Sequence, residues 1–224
     1  MPDITQYLAD LTAALQAKFG ARLCYVGLQG SYSRDEAREG SDVDVMVVLD
    51  TLSLADLDRY RAILAALGGD APTCGFISGR DELAAWNRCE VAQLLHETVD
   101  YYGALAPLLP TADAADLREH IRIGVGNLYH YLCHSYLHRP VEKREQAVKN
   151  GCRQAFYLLQ NLHLLRTGVW LRSHAALLAA SDGEEAAILR DAMTLRSGGE
   201  IDSGAAYARL FGWCRRLLVS LHTK

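Results

Sequence analysis

The feature that most constrains the fold is a change of hydrophobic pattern near residue 110. Before it, short apolar and β-branched runs alternate with segments of helical periodicity. After it, nearly every segment has the period of an amphipathic helix, and Pro107 and Pro110 stand at the change. We therefore predict an α+β protein: an α/β domain with a small mixed sheet at residues 1–110, followed by a helical bundle at residues 111–224.

The first domain is predicted to contain four strands and two longer helices. The strands are expected at residues 22–28, 42–49, 73–78 and 90–98, and the helices at residues 1–19 and 54–67. In the second domain, helices are expected at residues 117–137, 141–167, 173–180, 184–195 and 205–222.

Composition limits the class of protein. The 224 residues carry a formal net charge of −4, so no basic field attracts nucleic acid and no such partner is expected. No apolar run reaches the ~20 residues that span a bilayer, and residues 1–19 do not resemble a signal peptide. Six cysteines without a CxxC pair are typical of buried free thiols, so we expect a cytoplasmic protein without a membrane partner. The sequence leaves a homodimer open.

Two aspartates stand at the start of the second predicted strand. Side chains along a strand alternate between faces, so Asp42 and Asp44 project from the same face, with Cα atoms ~7 Å apart. Carboxylates placed in this way can converge on one cation or on a pair of cations. Mg²⁺ is the predicted ion, because it prefers carboxylate oxygens supplemented by the phosphate oxygens of a substrate.

A glycine–serine pair follows the first predicted strand. Gly30 lets the backbone approach a phosphate group closely, and the local N–H groups and the Ser31 hydroxyl can donate to its oxygens. The same loop offers further donors for a bound nucleotide in Ser33, Arg34 and Ser41. The loop and the neighbouring aspartates together predict a site for a metal-bound triphosphate.

These motifs resemble the signature of the polymerase-β-type nucleotidyltransferase superfamily. The small bacterial members similar to kanamycin nucleotidyltransferase and other aminoglycoside nucleotidyltransferases are the nearest in pattern, and the resemblance covers residues 20–50. It implies that Gly30 and Ser31 bind the β- and γ-phosphates of ATP or another nucleoside triphosphate. It also implies that Asp42 and Asp44 hold Mg²⁺ and are catalytic.

A third carboxylate, which such enzymes place on a later strand, is missing where it is expected. The predicted strand at residues 73–78 has the sequence Thr-Cys-Gly-Phe-Ile-Ser, without an acid. Glu97, on the next predicted strand, is the nearest substitute as metal ligand and catalytic residue, and Glu90 is a weaker one. Either the metal site is completed differently or part of the catalytic equipment is lost.

Polar residues at helical spacing also stand in the second domain. His130, His134 and His138 share one helix face, but no carboxylate or cysteine in the sequence completes a zinc site with them. Either this face turns toward a cleft or the neighbouring helix, where imidazoles bond to polar groups, or His130 serves as a base toward an acceptor hydroxyl. Lys149 and Arg153, also one turn apart, form either a solvated face or a positive contact for triphosphate oxygens.

The predicted activity is Mg²⁺-dependent transfer of a nucleoside monophosphate, AMP from ATP, to a hydroxyl group of a small molecule or a protein. Two alternatives stay open at this point. One is a non-catalytic nucleotide-binding or regulatory module, which the acid-free strand favours. The other is an antitoxin-type transferase that modifies a protein.

Overall fold

The computed structural model of the chain describes residues 3–68 and 73–222. The chain divides into two compact units, Met1–Ala112 and Asp113–Lys224. The first unit contains a small mixed sheet with helices, and the elements of the second are helical. The predicted α+β fold class is confirmed.

The elements of the first unit follow the order expected from the sequence, with one exception described below. They are α1 (Ile4–Phe19), β1 (Leu23–Leu28), α2 (Gly30–Ser33), β2 (Val43–Leu49), α3 (Leu54–Leu67), β3 (Thr73–Gly79), α4 (Arg80–Ala84), α5 (Arg88–Glu97) and β4 (Val99–Tyr102). The second unit contains α6 (Ala114–His138), α7 (Arg144–Thr167), α8 (His174–Ala179), α9 (Gly183–Arg196) and α10 (Ser203–His222). Among these described helices, none is long and apolar enough to cross a membrane.

The four strands form one sheet in the order β3-β2-β1-β4. Strand β1 runs antiparallel to both β2 and β4, whereas β3 runs parallel to β2. The connection between the parallel strands β2 and β3 includes helix α3. The sheet is therefore mixed, and β2 lies in its interior.

Both faces of the sheet are covered by apolar side chains. The odd-numbered residues of β2 from Val43 to Leu49 pack in one cluster with Leu11 and Leu15 of α1. Met46 and Val48 project from the opposite face and pack in a second cluster with Tyr25, Leu83 and Leu105. Alternation along β2 therefore places Asp42 and Asp44 on the same face as Met46.

Helix boundaries agree with the local capping signals. Ser53 and Asp56 form a capping box at the start of α3, where the Ser53 hydroxyl accepts from Asp56 N and the Asp56 carboxylate accepts from Ser53 N. Asp113 and Asp116 form the same arrangement at the start of α6. Gly168 ends α7 in the left-handed conformation at φ 73°.

The prediction of a strand at residues 90–98 is wrong. Residues Arg88–Glu97 form helix α5, whose first turn is capped by the side chain of Asn87, which accepts from Cys89 N. This segment is rich in the helix formers Glu, Ala, Gln and Leu, and this preference outweighed the short alternation of apolar residues. Strand β4 follows directly, at Val99–Tyr102.

The cysteines are all free, as expected, but they are not all buried. Burial raises the pKa of the Cys152 and Cys214 thiols to about 12 each. Cys74 on β3 is exposed instead. The expectation of buried thiols is therefore wrong for Cys74.

Candidate functional site

The two aspartates of the motif lie at the start of β2, where the strand leaves the apolar core. Asp42 is exposed and Asp44 is partly buried, whereas Val43 between them is fully buried. The backbone of Asp44 is fixed by Gln29, whose N–H donates to the Asp44 carbonyl at 2.8 Å. This bond joins the end of β1 to the start of β2 and holds the two halves of the motif together.

Gly30 lies directly against the Asp44 carboxylate. Its φ is 69°, in the left-handed region that favours glycine. A Cβ placed on Gly30 would lie 1.9 Å from Asp44 Oδ2. Only glycine therefore lets the phosphate-binding loop predicted from the sequence pass so close to this carboxylate.

The three serines of the loop differ in the hydrogen bonds that their hydroxyl groups make. Ser33 Oγ donates to the carbonyl of Gly30 at 3.0 Å, and Ser41 Oγ accepts from Arg38 N at 2.9 Å. Ser31 is partly exposed, and its hydroxyl makes no hydrogen bond with any residue of 3–68 or 73–222. Of the three predicted hydroxyl donors, Ser31 is the one whose hydroxyl is not engaged by the loop.

Arg34 is directed into the domain, where it binds two carboxylates. Arg34 Nη1 donates to Glu97 Oε2 at 2.8 Å, and Arg34 Nε lies 3.4 Å from Glu36 Oε2. Arg34 and Glu97 are each 7% exposed. A buried ion pair of this kind fixes the position of the loop that carries Arg34, and it occupies the guanidinium that was predicted to bind phosphate.

Glu97 does not lie where the sequence analysis placed it. It is the last residue of α5, and its backbone carbonyl accepts from Ser33 Oγ at 3.3 Å while its carboxylate binds Arg34. The weaker substitute, Glu90, is exposed on α5 and accepts from Trp86 Nε1 at 2.8 Å. Neither glutamate belongs to the group of metal-ligating side chains found around Asp42 and Asp44 in the described part of the chain.

The third member of that group is Cys74, which sequence analysis missed. One ligand atom from each of Asp42, Asp44 and Cys74 lies within 4.8 Å of the others, so these residues could hold a metal ion. Cys74 is the partner of Asp44 in the parallel register of β2 and β3. The sequence alone held no signal for this role, because the register that places the thiol beside the second aspartate is a property of the tertiary structure.

The candidate residues of the second unit are at the surface. His130, His134 and His138 are exposed on α6, with ring centroids 6.3 Å apart for the first pair and 4.9 Å for the second. Lys149 and Arg153 are exposed on α7. The roles of His130, Lys149 and Arg153 stay predictions.

Sequence comparison identifies a domain at the N-terminal end of the chain. Residues 13–78 match the family model of the nucleotidyltransferase domain. This match includes Gly30, Ser31, Asp42, Asp44 and Cys74, and so contains the whole site described above. No curated protein matches the sequence.

Structure comparison extends the likeness over the chain. The fold matches the crystal structure of spectinomycin adenyltransferase AAD(9) from Enterococcus faecialis with ATP and spectinomycin, at a TM-score of 0.59 and 15% sequence identity. The match covers 96% of this chain and 99% of the other. The resemblance inferred from the motifs is confirmed: residues 13–78 match the nucleotidyltransferase domain, in a chain that shares the fold of a spectinomycin adenyltransferase.

Proposed function

We propose that this protein transfers AMP from ATP to a hydroxyl group of an acceptor, with Mg²⁺ bound to Asp42 and Asp44. The bond that forms joins the acceptor oxygen to the α-phosphorus. The bond that breaks joins that phosphorus to the bridging oxygen, and pyrophosphate leaves with the electron pair. The acceptor proton passes to a base, for which His130 is the candidate from the sequence.

One observation carries the proposal: the Asp44 carboxylate lies against Gly30, in the space that a side chain there would fill. This contact brings the loop that can donate to phosphate oxygens beside the carboxylates that can bind a cation. A nucleoside triphosphate needs both groups at once, because its oxygens must be hydrogen-bonded and their charge neutralised. A turn beside a solvated strand would not require such a close approach.

The residues present fit a divalent cation. Two carboxylates converge on one side of the β2 terminus, and the absence of a Cβ at Gly30 leaves the room that the Asp44 carboxylate takes up. When bound, Mg²⁺ would neutralise charge that develops on the phosphate oxygens. The tasks of the chain itself are to orient the triphosphate through Gly30 N–H and Ser31, and to hold the loop rigid through the Arg34–Glu97 pair.

A small-molecule acceptor is the class that we favour. The neighbour of the same fold was crystallised with ATP and spectinomycin, which is a small molecule, and this supports the same class of acceptor here. At 15% identity the likeness does not extend to the acceptor itself, so a panel of hydroxyl compounds and antibiotics is the appropriate screen.

Substitution of the aspartates tests the proposal. Asp42→Asn and Asp44→Asn should each lower the affinity for ATP in the presence of Mg²⁺ by about tenfold or more, measured by isothermal titration calorimetry, because a cation ligand is lost. Asp58→Asn is the matched control, since Asp58 is exposed on α3 and pairs with Arg61 at the surface. Unchanged affinity in both site variants would refute the proposed site.

A non-catalytic nucleotide-binding module is the second candidate function. It is favoured by β3, which carries no carboxylate between Thr73 and Gly79. The two functions differ in turnover. Magnesium-dependent ATP binding without pyrophosphate release, with every acceptor of the panel, would support the binding module over the transferase.

A further inference from the structure

The strand pairing brings a thiol to the position beside the two aspartates. In the parallel register of β2 and β3, Asp44 is paired with Cys74, and Met46 is paired with Phe76. Met46 and Phe76 pack in the same apolar cluster, which shows that this register places paired side chains on one face of the sheet. Asp44 and Cys74, two residues earlier on each strand, therefore also share that face.

A glycine permits the close approach of the two strands at this point. Gly75 has φ 140°, and a Cβ placed there would lie 2.0 Å from the carbonyl oxygen of Val45. No other residue fits at position 75 without displacing β3 from β2. The proximity of Cys74 to the aspartates thus depends on the backbone geometry of β3, and not only on the flexible end of an exposed side chain.

The separation of the three groups suits the inner shell of a metal ion. The Cys74 sulfur and the carboxylate oxygens of Asp42 and Asp44 all lie within 4.8 Å of one another. Around zinc, with bonds of ~2.3 Å to sulfur and ~2.1 Å to oxygen, tetrahedral ligands stand ~3.6 Å apart. Small side-chain rotations are enough to bring ligand atoms that lie within 4.8 Å of one another to a spacing of ~3.6 Å.

We propose that Cys74 is the third metal ligand of this site, and that the site binds a thiophilic divalent cation of the zinc class in competition with Mg²⁺. The proposal rests on the proposed function in that both use Asp42 and Asp44. It differs in the ion, because a thiolate is a soft ligand that favours zinc-like ions, whereas Mg²⁺ binds oxygen. Zinc-class ions would then hold the pair of carboxylates that Mg²⁺–ATP requires.

Affinity alone does not test this proposal, because zinc-class ions bind carboxylates more tightly than Mg²⁺ does at most sites. The test must therefore detect the sulfur–metal bond. Co²⁺ is a suitable probe, since thiolate coordination gives it an intense near-ultraviolet charge-transfer band that carboxylate coordination lacks. Titration of the full chain with Co²⁺ should produce this band, and Cys74→Ser should abolish it and lower the Co²⁺ affinity by about tenfold or more.

Cys89→Ser is the matched control, because Cys89 is a partly exposed cysteine of the same unit that does not belong to the metal-ligating group. This variant should retain the band in full. A second readout follows the thiol itself: Co²⁺ or Zn²⁺ should protect Cys74 from alkylation, located by mass spectrometry, while Mg²⁺ at saturating concentration should not. Circular dichroism of Cys74→Ser and Cys74→Ala establishes that each variant is folded.

The outcomes separate this proposal from the proposed function. A Co²⁺ complex without the charge-transfer band, or a band that persists in both folded Cys74 variants, would overturn the role of Cys74 and leave Mg²⁺–ATP binding unaffected. Loss of the band in Cys74→Ser, with the band retained in Cys89→Ser, would support it. If Asp42→Asn and Asp44→Asn both leave Mg²⁺–ATP binding unchanged while the unmodified protein shows the Co²⁺ band, the proposed function fails and the thiol-containing metal site stands.

Discussion

The Asp44 carboxylate occupies the space that a side chain on Gly30 would need, with 1.9 Å between Asp44 Oδ2 and an ideal Cβ at position 30. The two residues belong to different halves of the motif, one after β1 and one at the start of β2. Their contact brings together the loop that we propose to bind phosphate and the carboxylates that we propose to bind a cation. The first prediction concerns this contact.

Gly30→Ala should lower the affinity for Mg²⁺–ATP by about tenfold or more, because the new methyl group displaces Asp44 from its cation-binding position. The left-handed backbone at φ 69° adds a strain of ~1–2 kcal/mol to the free energy of folding. Gly40→Ala is the matched control: Gly40 has φ 80°, but a Cβ there meets no atom within 4 Å. Calorimetric titration should show weakened binding in Gly30→Ala alone, and equal losses in both variants would contradict the role of the contact.

Glu97→Gln should reduce the stability of the protein and should leave its affinity for Mg²⁺ unchanged. The substitution removes the charge of a buried pair in which Arg34 donates to Glu97 at 2.8 Å, so the free energy of unfolding should fall by ~1–3 kcal/mol. Glu90→Gln, an exposed change on the same helix, should leave the urea unfolding midpoint within error. If Glu97→Gln instead abolished Mg²⁺ affinity at unchanged stability, Glu97 would be the missing metal ligand after all.

Asp56 should make the first unit sensitive to acid. Its carboxylate is buried at the start of α3, and hydrogen bonds from Arg22, Ser53 and Arg59 hold its pKa well below the usual value. A lowered pKa in the folded state stabilises the protein above the unfolded pKa of ~3.9, and this stability is lost as the pH falls toward the folded pKa. Asp56→Asn should therefore be destabilising at neutral pH, and the difference from the unmodified protein should shrink as the pH falls below ~4.

Urea unfolding at a series of pH values measures this difference. Asp58→Asn serves as the control on the same helix, because Asp58 is exposed and its ion pair with Arg61 is at the surface. A difference between Asp56→Asn and the unmodified protein that is independent of pH would contradict the assigned cause.

His130→Ala tests the candidate base. If the exposed imidazole accepts the acceptor proton, single-turnover AMP transfer to an acceptor identified in the panel should slow by roughly 10²–10⁴-fold, with Mg²⁺–ATP affinity unchanged. His138→Ala, on the same exposed face of α6, should transfer AMP at the unmodified rate. Equal rates in all three proteins would exclude a catalytic role for His130.

Local patterns in the sequence were enough to locate most elements. The helix at residues 54–67 was predicted from its apolar spacing and the Ser53 cap, and the structure places α3 at Leu54–Leu67. The strands at residues 22–28 and 42–49 were found within one residue of their observed starts. These features depend on neighbours along the chain, which the sequence shows directly. The strand prediction for residues 90–98 was wrong because this short apolar alternation is compatible with the period of a strand and with that of a helix.

The sequence by itself determined that Asp42 and Asp44 share a face, since side chains two apart on a strand do so in any fold. Only the tertiary structure decided which side chains lie beside these aspartates. The parallel pairing of β2 with β3 brings Cys74 to the aspartates across about 30 residues of chain, and the end of α5 turns Glu97 toward Arg34. Both arrangements depend on strand register and on helix packing, which are set by contacts between residues distant in sequence and not by local periodicity.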